Sequence, residues 1–253
     1  MGMETCAPRG ANGEALSAAG PVWRATGPAT ENSVSAISPL DADDVSRMKA
    51  AQKRRAHGVF QSEKSGKSLP WRNEAERDLM ALLEVDPAVH SMEAWPEKVS
   101  IVLNGRESSW VPALRVQFAD GPRTAILDAA ETWDADKPWR RRLSRSLARI
   151  YGDRQIAYRF FAAREIRVQP RLRNAKAILE RRGYPIDAAS ELLAIEALSV
   201  GARTIGEVGH IFPGGPDAAR NTLYSMAIRG IVELDLSAAA AANMRVWLSG
   251  CPR

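Results

Sequence analysis

The chain has 253 residues, of which 45% are hydrophobic and 26% charged, and its formal net charge is +5. This length allows one large or two modest domains, each with its own core. No apolar run approaches the roughly 20 residues that a membrane span requires, and the N-terminus lacks the layout of a secretory signal. We therefore expect a cytoplasmic protein without a membrane anchor. Two cysteines near opposite ends and three scattered histidines give no metal-ligand spacing.

The first 58 residues predict a disordered, partly basic arm. Residues 1–39 are rich in Ala, Gly, Pro and Ser and have no apolar period, so they cannot bury enough surface to offset their ordering entropy. Residues 41–57 predict a short helix with an acidic start and a basic end, which suits the helix dipole. This helix is either an exposed linker or an arm that follows DNA.

A helix opens the folded part, which we expect to begin near Val59. Residues 74–84 place Leu79, Leu82 and Leu83 on one helical stripe, and Glu76 lies at the edge of that stripe. Asp86-Pro87 ends the helix because the residue before a proline disfavours helical backbone.

Three antiparallel strands in succession are predicted after the helix. Residues 99–103 form the first, and Asn104-Gly105 predicts a tight hairpin because both positions tolerate positive φ. The second strand covers about 109–118, and a turn leads into the third at 123–130. Alternation along the second strand puts Leu114, Val116 and Phe118 on one face and Ala113, Arg115 and Gln117 on the other, while Asp128 and Ala130 share a face of the third.

Residues 137–182 contain most of the basic character. They include 15 Lys and Arg against three acids, a balance of +12, so the remainder of the chain sums to −7. Aromatic residues are interleaved with the arginines, and arginine suits bidentate phosphate contacts. The segment predicts either contact with DNA or a solvated helix face. The candidate DNA-contacting residues are Lys137, Arg140, Arg141, Arg142, Arg145 and Arg149.

The C-terminal part, residues 187–253, predicts a small winged-helix domain. Three helices, at about 192–198, 204–208 and 216–229, precede a short strand at 230–236. From Asp187 onward there are seven acids against five arginines. Such a surface binds phosphates poorly, which favours docking to a protein, although DNA binding by this domain stays an alternative.

Several segments in order resemble the nuclease domain of TnsA-type transposon endonucleases. They are VFQSEKSGKSLPWRNEAERDLMALLEVDPAV at 59–89, Trp110-Val111-Pro112, the Asp120-Gly121 turn and FFAAREIRVQPRLRNAKA at 160–177. The resemblance covers about 59–182. It implies an α/β fold with a restriction-endonuclease-like mixed sheet and flanking helices over 59–186, in which the last segment supplies a closing strand and a helix bearing an asparagine.

The resemblance also implies site residues. In that fold a helix glutamate, a Pro-Asp and an acid-x-Lys hold one or two divalent metals against the scissile phosphate. Glu76 matches the helix carboxylate and Asp128 the acid, so both are candidate catalytic and metal-binding residues. Ala113 and Ala130 stand where the family has its metal-binding Asp and its catalytic Lys.

We therefore expect a DNA-binding protein of DNA transposition and recombination with weakened or lost cleavage, working with transposase and ATPase subunits. One alternative is an active endonuclease that uses Mg²⁺ and relocated groups; otherwise no cofactor is expected. The other is a regulator that binds DNA through the winged helix. Candidates for relocated groups are Asp120, Glu131, Asp134, Asp136 and Lys137.

Overall fold

The computed structural model describes residues 34–51, 56–103 and 106–250, and it has a mixed α/β fold with several small sheets. The chain divides into two compact units: one contains residues 34–84 and 88–167, and the other contains 85–87 and 168–250. Among the described residues, no helix has the length and apolar character needed to cross a bilayer.

The first unit contains nine strands and five helices among the described residues. The strands are β1 (Val34–Ser38), β2 (Gly58–Ser62), β3 (Lys67–Trp71), β4 (Val89–Ala94), β5 (Lys98–Leu103), β6 (Arg106–Trp110), β7 (Leu114–Phe118), β8 (Thr124–Ala130) and β9 (Ala157–Ala162). The helices are α1 (Ala42–Ala51), α2 (Glu74–Glu84), α3 (Thr132–Ala135), α4 (Pro138–Asp153) and α5 (Ala163–Ile166).

A mixed four-stranded sheet lies at the centre of this unit, in the order β4-β7-β8-β9. The first three strands are antiparallel neighbours, and β9 runs parallel to β8 after a crossover through α3 and α4. Helix α4 buries Leu143 and Leu147 in the same cluster as Ile126 of β8. Strand β8 is buried from Ala125 onward, so any polar group on it must find a partner inside the protein.

The predicted strand 109–118 is wrong, because it is two strands in two different sheets. Strand β6 pairs with β5 in a sheet of order β1-β5-β6, whereas β7 pairs with β4 and β8. The chain leaves one ladder for the other around Pro112, which has no backbone N–H to donate. Helix α2, the face with Leu114, Val116 and Phe118 buried, and the third strand are confirmed. The turn at 104–105 lies outside the described residues.

Order begins earlier than the sequence predicts. Residues 34–38, predicted to be disordered, form β1, which pairs with β5 and so gains backbone hydrogen bonds that the composition does not reveal. Helix α1 ends at Ala51. Residues 1–33 and 52–55, including the basic end predicted for this helix, lie outside the described residues.

The second unit contains four helices and a three-stranded antiparallel sheet among its described residues. Its elements are α6 (Arg171–Leu179), α7 (Ala188–Ser199), β10 (Arg203–Thr204), α8 (Ile205–Gly209), α9 (Gly215–Ile228), β11 (Val232–Leu234), a 3-10 turn (Ala241–Asn243) and β12 (Arg245–Leu248). The sheet order is β10-β12-β11. Thr204 caps α8 through a reciprocal pair of hydrogen bonds with Glu207.

Helix α6 belongs to this second unit, although the sequence placed it before a boundary at 186/187. Ile178 of α6 lies in the same buried cluster as Leu223 and Met226 of α9. Asn174, the asparagine of this helix, donates hydrogen bonds of 2.8 Å to the carbonyls of Leu236 and Ala238. The apolar face of α6 therefore packs on its C-terminal neighbours, a tertiary contact that sequence pattern does not encode.

Candidate functional site

Glu76 and Asp128 lie near one another in a buried polar cluster of the first unit. Helix α2 supplies Glu76 and strand β8 supplies Asp128, and the two residues are 1% and 0% exposed. Both contact the guanidinium of Arg72, which precedes α2. The two predicted site carboxylates therefore converge, but a cation from the protein itself lies between them.

Arg72 bridges three parts of the first unit. Its Nε donates to Glu76 Oε1 at 2.8 Å and its backbone N–H donates to Glu76 Oε2 at 2.8 Å. Its Nη1 donates to the carbonyl of Val111 at 2.7 Å. Its Nη2 makes ion-pair contacts with Glu76 Oε1 at 2.6 Å and Asp128 Oδ1 at 3.6 Å. The guanidinium thus faces oxygen acceptors from α2, β8 and the loop before β7.

The guanidinium of Arg72 keeps its charge, although its side chain is only 16% exposed. Burial alone would lower the pKa of Arg72, but the neighbouring carboxylates of Glu76 and Asp128 raise it above its usual value. Because the guanidinium does not lose its proton, it is a permanent countercharge for the carboxylates.

The carboxyl group of Asp128 has a raised pKa. Burial raises the pKa of Asp128 to about 6, against the opposing effect of Arg72 and Arg140. The indole Nε1 of Trp110 donates to Asp128 Oδ2 at 2.6 Å, and the backbone N–H of Ala129 donates to Oδ1 at 3.1 Å. The carboxyl group is thus hydrogen-bonded on both oxygens.

Arg140 is held in an aromatic enclosure rather than in solvent. The residue is 6% exposed, and its guanidinium carbon lies 4.4 Å from the ring centroid of Trp110, 4.6 Å from Trp139 and 5.6 Å from Phe160. Its Nη2 donates a hydrogen bond to Asp134. Burial would raise the pKa of Asp134, but Arg140 and Lys137 lower it below its usual value. Of the six candidate DNA-contacting residues, Arg140 alone is buried, which removes it from a phosphate-binding face.

Ala113 and Ala130 are both buried and bring no charge to the site. Ala113 is 0% exposed, and its carbonyl accepts a hydrogen bond from the backbone of Trp95. Ala130 is 2% exposed and packs with Ala135 and Ala162 in a small apolar cluster. A lysine at position 130 would have to place its ammonium in this apolar packing, so the local environment matches alanine.

The acids proposed as relocated catalytic groups are engaged in ion pairs. Glu131 receives two hydrogen bonds of 2.9 Å from Arg167, which also binds Asp78 at 2.8 Å. Asp136 pairs with Arg164 at 2.9 Å. The other pairs are Asp120 with Arg123, and Asp134 with Arg140 and Lys137.

The residues present do not fit a divalent cation. Mg²⁺ requires about six oxygen ligands in a tight octahedral arrangement, whereas the space between Glu76 and Asp128 holds the guanidinium of Arg72. Within the described parts of the chain, no three His, Cys, Asp or Glu side chains come together as a metal site requires.

One face of α4 presents arginines to solvent. Arg141, Arg145 and Arg149 follow one another at intervals of four residues and are exposed, and Arg142 beside them is exposed as well. Lys137, at the start of the helix, lies with its ammonium 4.5 Å from the ring centroid of the exposed Trp133. All six candidate DNA-contacting residues therefore lie on this helix or at its N-terminus, and five of them are accessible to solvent.

Helix α9 is largely enclosed within its own unit. Seven of its residues are buried, including the polar Thr222 and Ser225. The Arg181 Nε donates to Asn221 on this helix at 2.6 Å, and Ser225 donates to the carbonyl of Tyr184 at 3.0 Å. The segment around 181–184 thus covers part of the surface that α9 would otherwise present.

Sequence reasoning missed Arg72, Trp110 and the burial of Arg140. A weak signal existed for Arg72, because it lies four residues before Glu76, the spacing of a helical ion pair. Trp110 gave no signal for its bond to Asp128, because the two residues belong to different sheets.

Comparison with known proteins does not extend this picture. No model of a known protein family matches the chain, and no curated protein is significantly similar to it. The class of protein therefore rests on its own features: a mixed α/β protein with a closed, internally neutralised carboxylate site and an exposed arginine face.

Proposed function

We propose that the chain is a DNA-binding protein built on a TnsA-type, restriction-endonuclease-like domain that has lost strong phosphodiester cleavage. The proposal of DNA binding rests on the row of exposed arginines on α4, formed by Arg141, Arg145 and Arg149. Guanidinium groups spaced along one helix face suit successive phosphates of a duplex backbone, and they bind without reading base sequence.

The loss of cleavage is supported by the closed site. An active enzyme of this kind needs carboxylates free to hold metal and a lysine to stabilise developing charge, and removing one such stabiliser costs about 10² to 10³ in rate. Here Glu76 and Asp128 are engaged by Arg72, and positions 113 and 130 hold alanine. Mg²⁺ would be needed only if the chain were an active endonuclease with relocated catalytic groups. That alternative is disfavoured because the acids that would be relocated groups are held in ion pairs.

The C-terminal unit is proposed to be a winged helix that docks a protein. Support for the winged helix comes from the order α7-β10-α8-α9-β11-β12, with β10 paired to β12. In that module the helix corresponding to α9 enters the DNA groove, but residues 181–184 cover part of α9 here. A regulator that reads DNA through this helix is accordingly disfavoured.

A transposition setting, with transposase and ATPase partners, is proposed from the resemblance of residues 59–182 alone. Genes for a transposase and an ATPase adjacent to the gene for this chain would support that setting. A gene without such neighbours would count against it.

Binding of the full chain to a short labelled duplex at several salt concentrations tests the DNA-binding proposal. Replacing Arg141, Arg145 and Arg149 by alanine is expected to weaken binding at low salt at least tenfold. It should also reduce the slope of log affinity against log salt by about 2 to 3. Loss of affinity without a change in slope would contradict the proposed phosphate contacts.

The matched control replaces three exposed arginines of the second unit by alanine. These are Arg203, Arg229 and Arg245. The control changes net charge by the same amount, so an equal loss of affinity would show that α4 is not the interface. Nicking of supercoiled plasmid with Mg²⁺ or Mn²⁺ tests the loss of cleavage; robust nicking that disappears in Glu76→Ala would overturn it.

A further inference from the structure

We propose that Arg72 is a built-in substitute for a divalent cation: its guanidinium occupies the cation's position between Glu76 and Asp128, and removing it opens a latent metal-binding site. The inference deepens the proposed loss of cleavage and rests on that proposal for its functional meaning. Its test uses metal alone, so it succeeds or fails independently of DNA binding.

The acceptors around the Arg72 side chain are those that a hard cation prefers. They are a carboxylate oxygen of Glu76, a carboxylate oxygen of Asp128 and the carbonyl oxygen of Val111, at 2.6, 3.6 and 2.7 Å from guanidinium nitrogens. All are oxygens, as Mg²⁺, Mn²⁺ and Ca²⁺ require. They belong to a helix, a strand and a loop, so the guanidinium joins the same elements that a metal would join.

Charge explains why the substitution is stable. Two buried carboxylates without a cation are strongly unfavourable, because like charges at short range cannot both remain ionised in a low-dielectric site. A guanidinium tethered four residues from Glu76 supplies the missing positive charge at every ion concentration. A free cation must compete for the same oxygens against a permanent intramolecular partner.

Arg72 therefore excludes metal by occupancy and by charge. Removing it leaves Glu76, Asp128 and the Val111 carbonyl without the guanidinium that contacts all three, and a divalent cation can take its place among the same oxygens. Water can complete the remaining positions of its coordination shell.

Titration with Mn²⁺ alone, followed by electron paramagnetic resonance of the free ion, measures the latent site. Arg72→Ala is expected to bind one Mn²⁺ per chain at least tenfold more tightly than the unmodified protein, and adding Glu76→Gln should abolish this gain. Arg77→Ala is the matched control, since Arg77 is on α2 but half exposed and paired at its surface with Glu74. This control should bind no more Mn²⁺ than the unmodified protein.

The thermal midpoint supplies a second readout. Mn²⁺ should raise the midpoint of Arg72→Ala and leave that of the unmodified protein unchanged, because a ligand stabilises only the state that binds it. Two results would overturn the proposal: Mn²⁺ binding to the unmodified protein that Glu76→Gln removes, or a folded Arg72→Ala that gains no binding.

Arg72→Met covers the case in which the alanine variant does not fold. Methionine keeps much of the apolar length of arginine without its charge. If either neutral variant folds only when Mn²⁺ is present, the metal has replaced the guanidinium and the proposal is supported. If both remain unfolded in Mn²⁺, a divalent cation cannot do what Arg72 does, and the proposal fails.

Discussion

The indole of Trp110 donates a hydrogen bond of 2.6 Å to Asp128, a carboxyl group with no exposure to solvent. This bond joins the end of β6 in one sheet to β8 in another. It also places an aromatic ring against the guanidiniums of both Arg72 and Arg140. Trp110 therefore contacts three charged groups of the closed site: Asp128, Arg72 and Arg140.

Trp110→Phe should destabilise the protein by about 1 to 3 kcal/mol, the usual cost of leaving a buried acceptor without its donor. Denaturant unfolding measures the loss. Trp133→Phe is the control, because Trp133 is 61% exposed and its ring lies against the ammonium of Lys137. Equal effects of the two substitutions would show that the bond to Asp128 contributes nothing specific.

The raised pKa of Asp128 predicts a pH dependence with a definite sign. Its folded value of about 6 lies above the ordinary 3.8, so the folded state holds the proton more tightly than the unfolded state does. The contribution of this group to the free energy of unfolding is therefore most favourable below pH 3.8. It declines as the pH rises through 6, by a total on the order of 3 kcal/mol.

Asp128→Asn should remove that decline. Relative to the unmodified protein, the variant is expected to gain stability steadily between pH 4 and 7, as measured by denaturant unfolding. Asp120→Asn, at an exposed position paired with Arg123, should show no such trend. A variant that loses stability relative to the unmodified protein as the pH rises would contradict the sign.

The pair of Glu131 with Arg167 predicts a second stability effect. Arg167 binds Glu131 through two parallel hydrogen bonds and also reaches the buried Asp78. Arg167→Lys keeps the charge but loses the fork geometry, so we expect a loss of about 2 kcal/mol. Arg164→Lys, at an exposed pair with Asp136, should cost less than about 1 kcal/mol. Thermal unfolding of both variants distinguishes a structural Glu131 from one available for catalysis.

Adding the Asp and Lys that the resemblance implies at positions 113 and 130 should not produce cleavage. Ala113→Asp with Ala130→Lys adds the absent carboxylate and ammonium, but Arg72 still occupies the position between Glu76 and Asp128. Plasmid nicking in Mn²⁺ is expected to stay at background in this double variant, provided circular dichroism shows that it folds. Nicking that appears while Arg72 is intact would show that the guanidinium does not block the site.

Charge reversal on α9 should leave DNA binding nearly unchanged. Arg220 is about one-third exposed and pairs with Asp217, so Arg220→Glu is expected to alter duplex affinity by less than about twofold, whereas Arg145→Glu on α4 should weaken it several-fold. Anisotropy of a labelled duplex compares the two. A larger effect at Arg220 would favour the C-terminal unit as the DNA-binding element.

Local sequence determined much of this protein. The apolar stripe fixed helix α2 at 74–84, alternation fixed the buried face of β7, and the Thr204 and Glu207 pair fixed the start of α8, because each depends on residues within a few positions of one another. The basic segment likewise indicated the arginines of α4, because helical spacing alone places positions 141, 145 and 149 on one face.

Only the tertiary structure decided what the site contains. The sequence indicated Glu76 and Asp128 as candidates, but it could not place Arg72 between them, Trp110 against Asp128 or Arg140 among aromatic rings. Each of these contacts joins elements that are distant along the chain, and no local pattern specifies which ladder a strand joins after Pro112 or which side chain fills a shared interior. These contacts are determined by side-chain packing and by the need to neutralise buried charge.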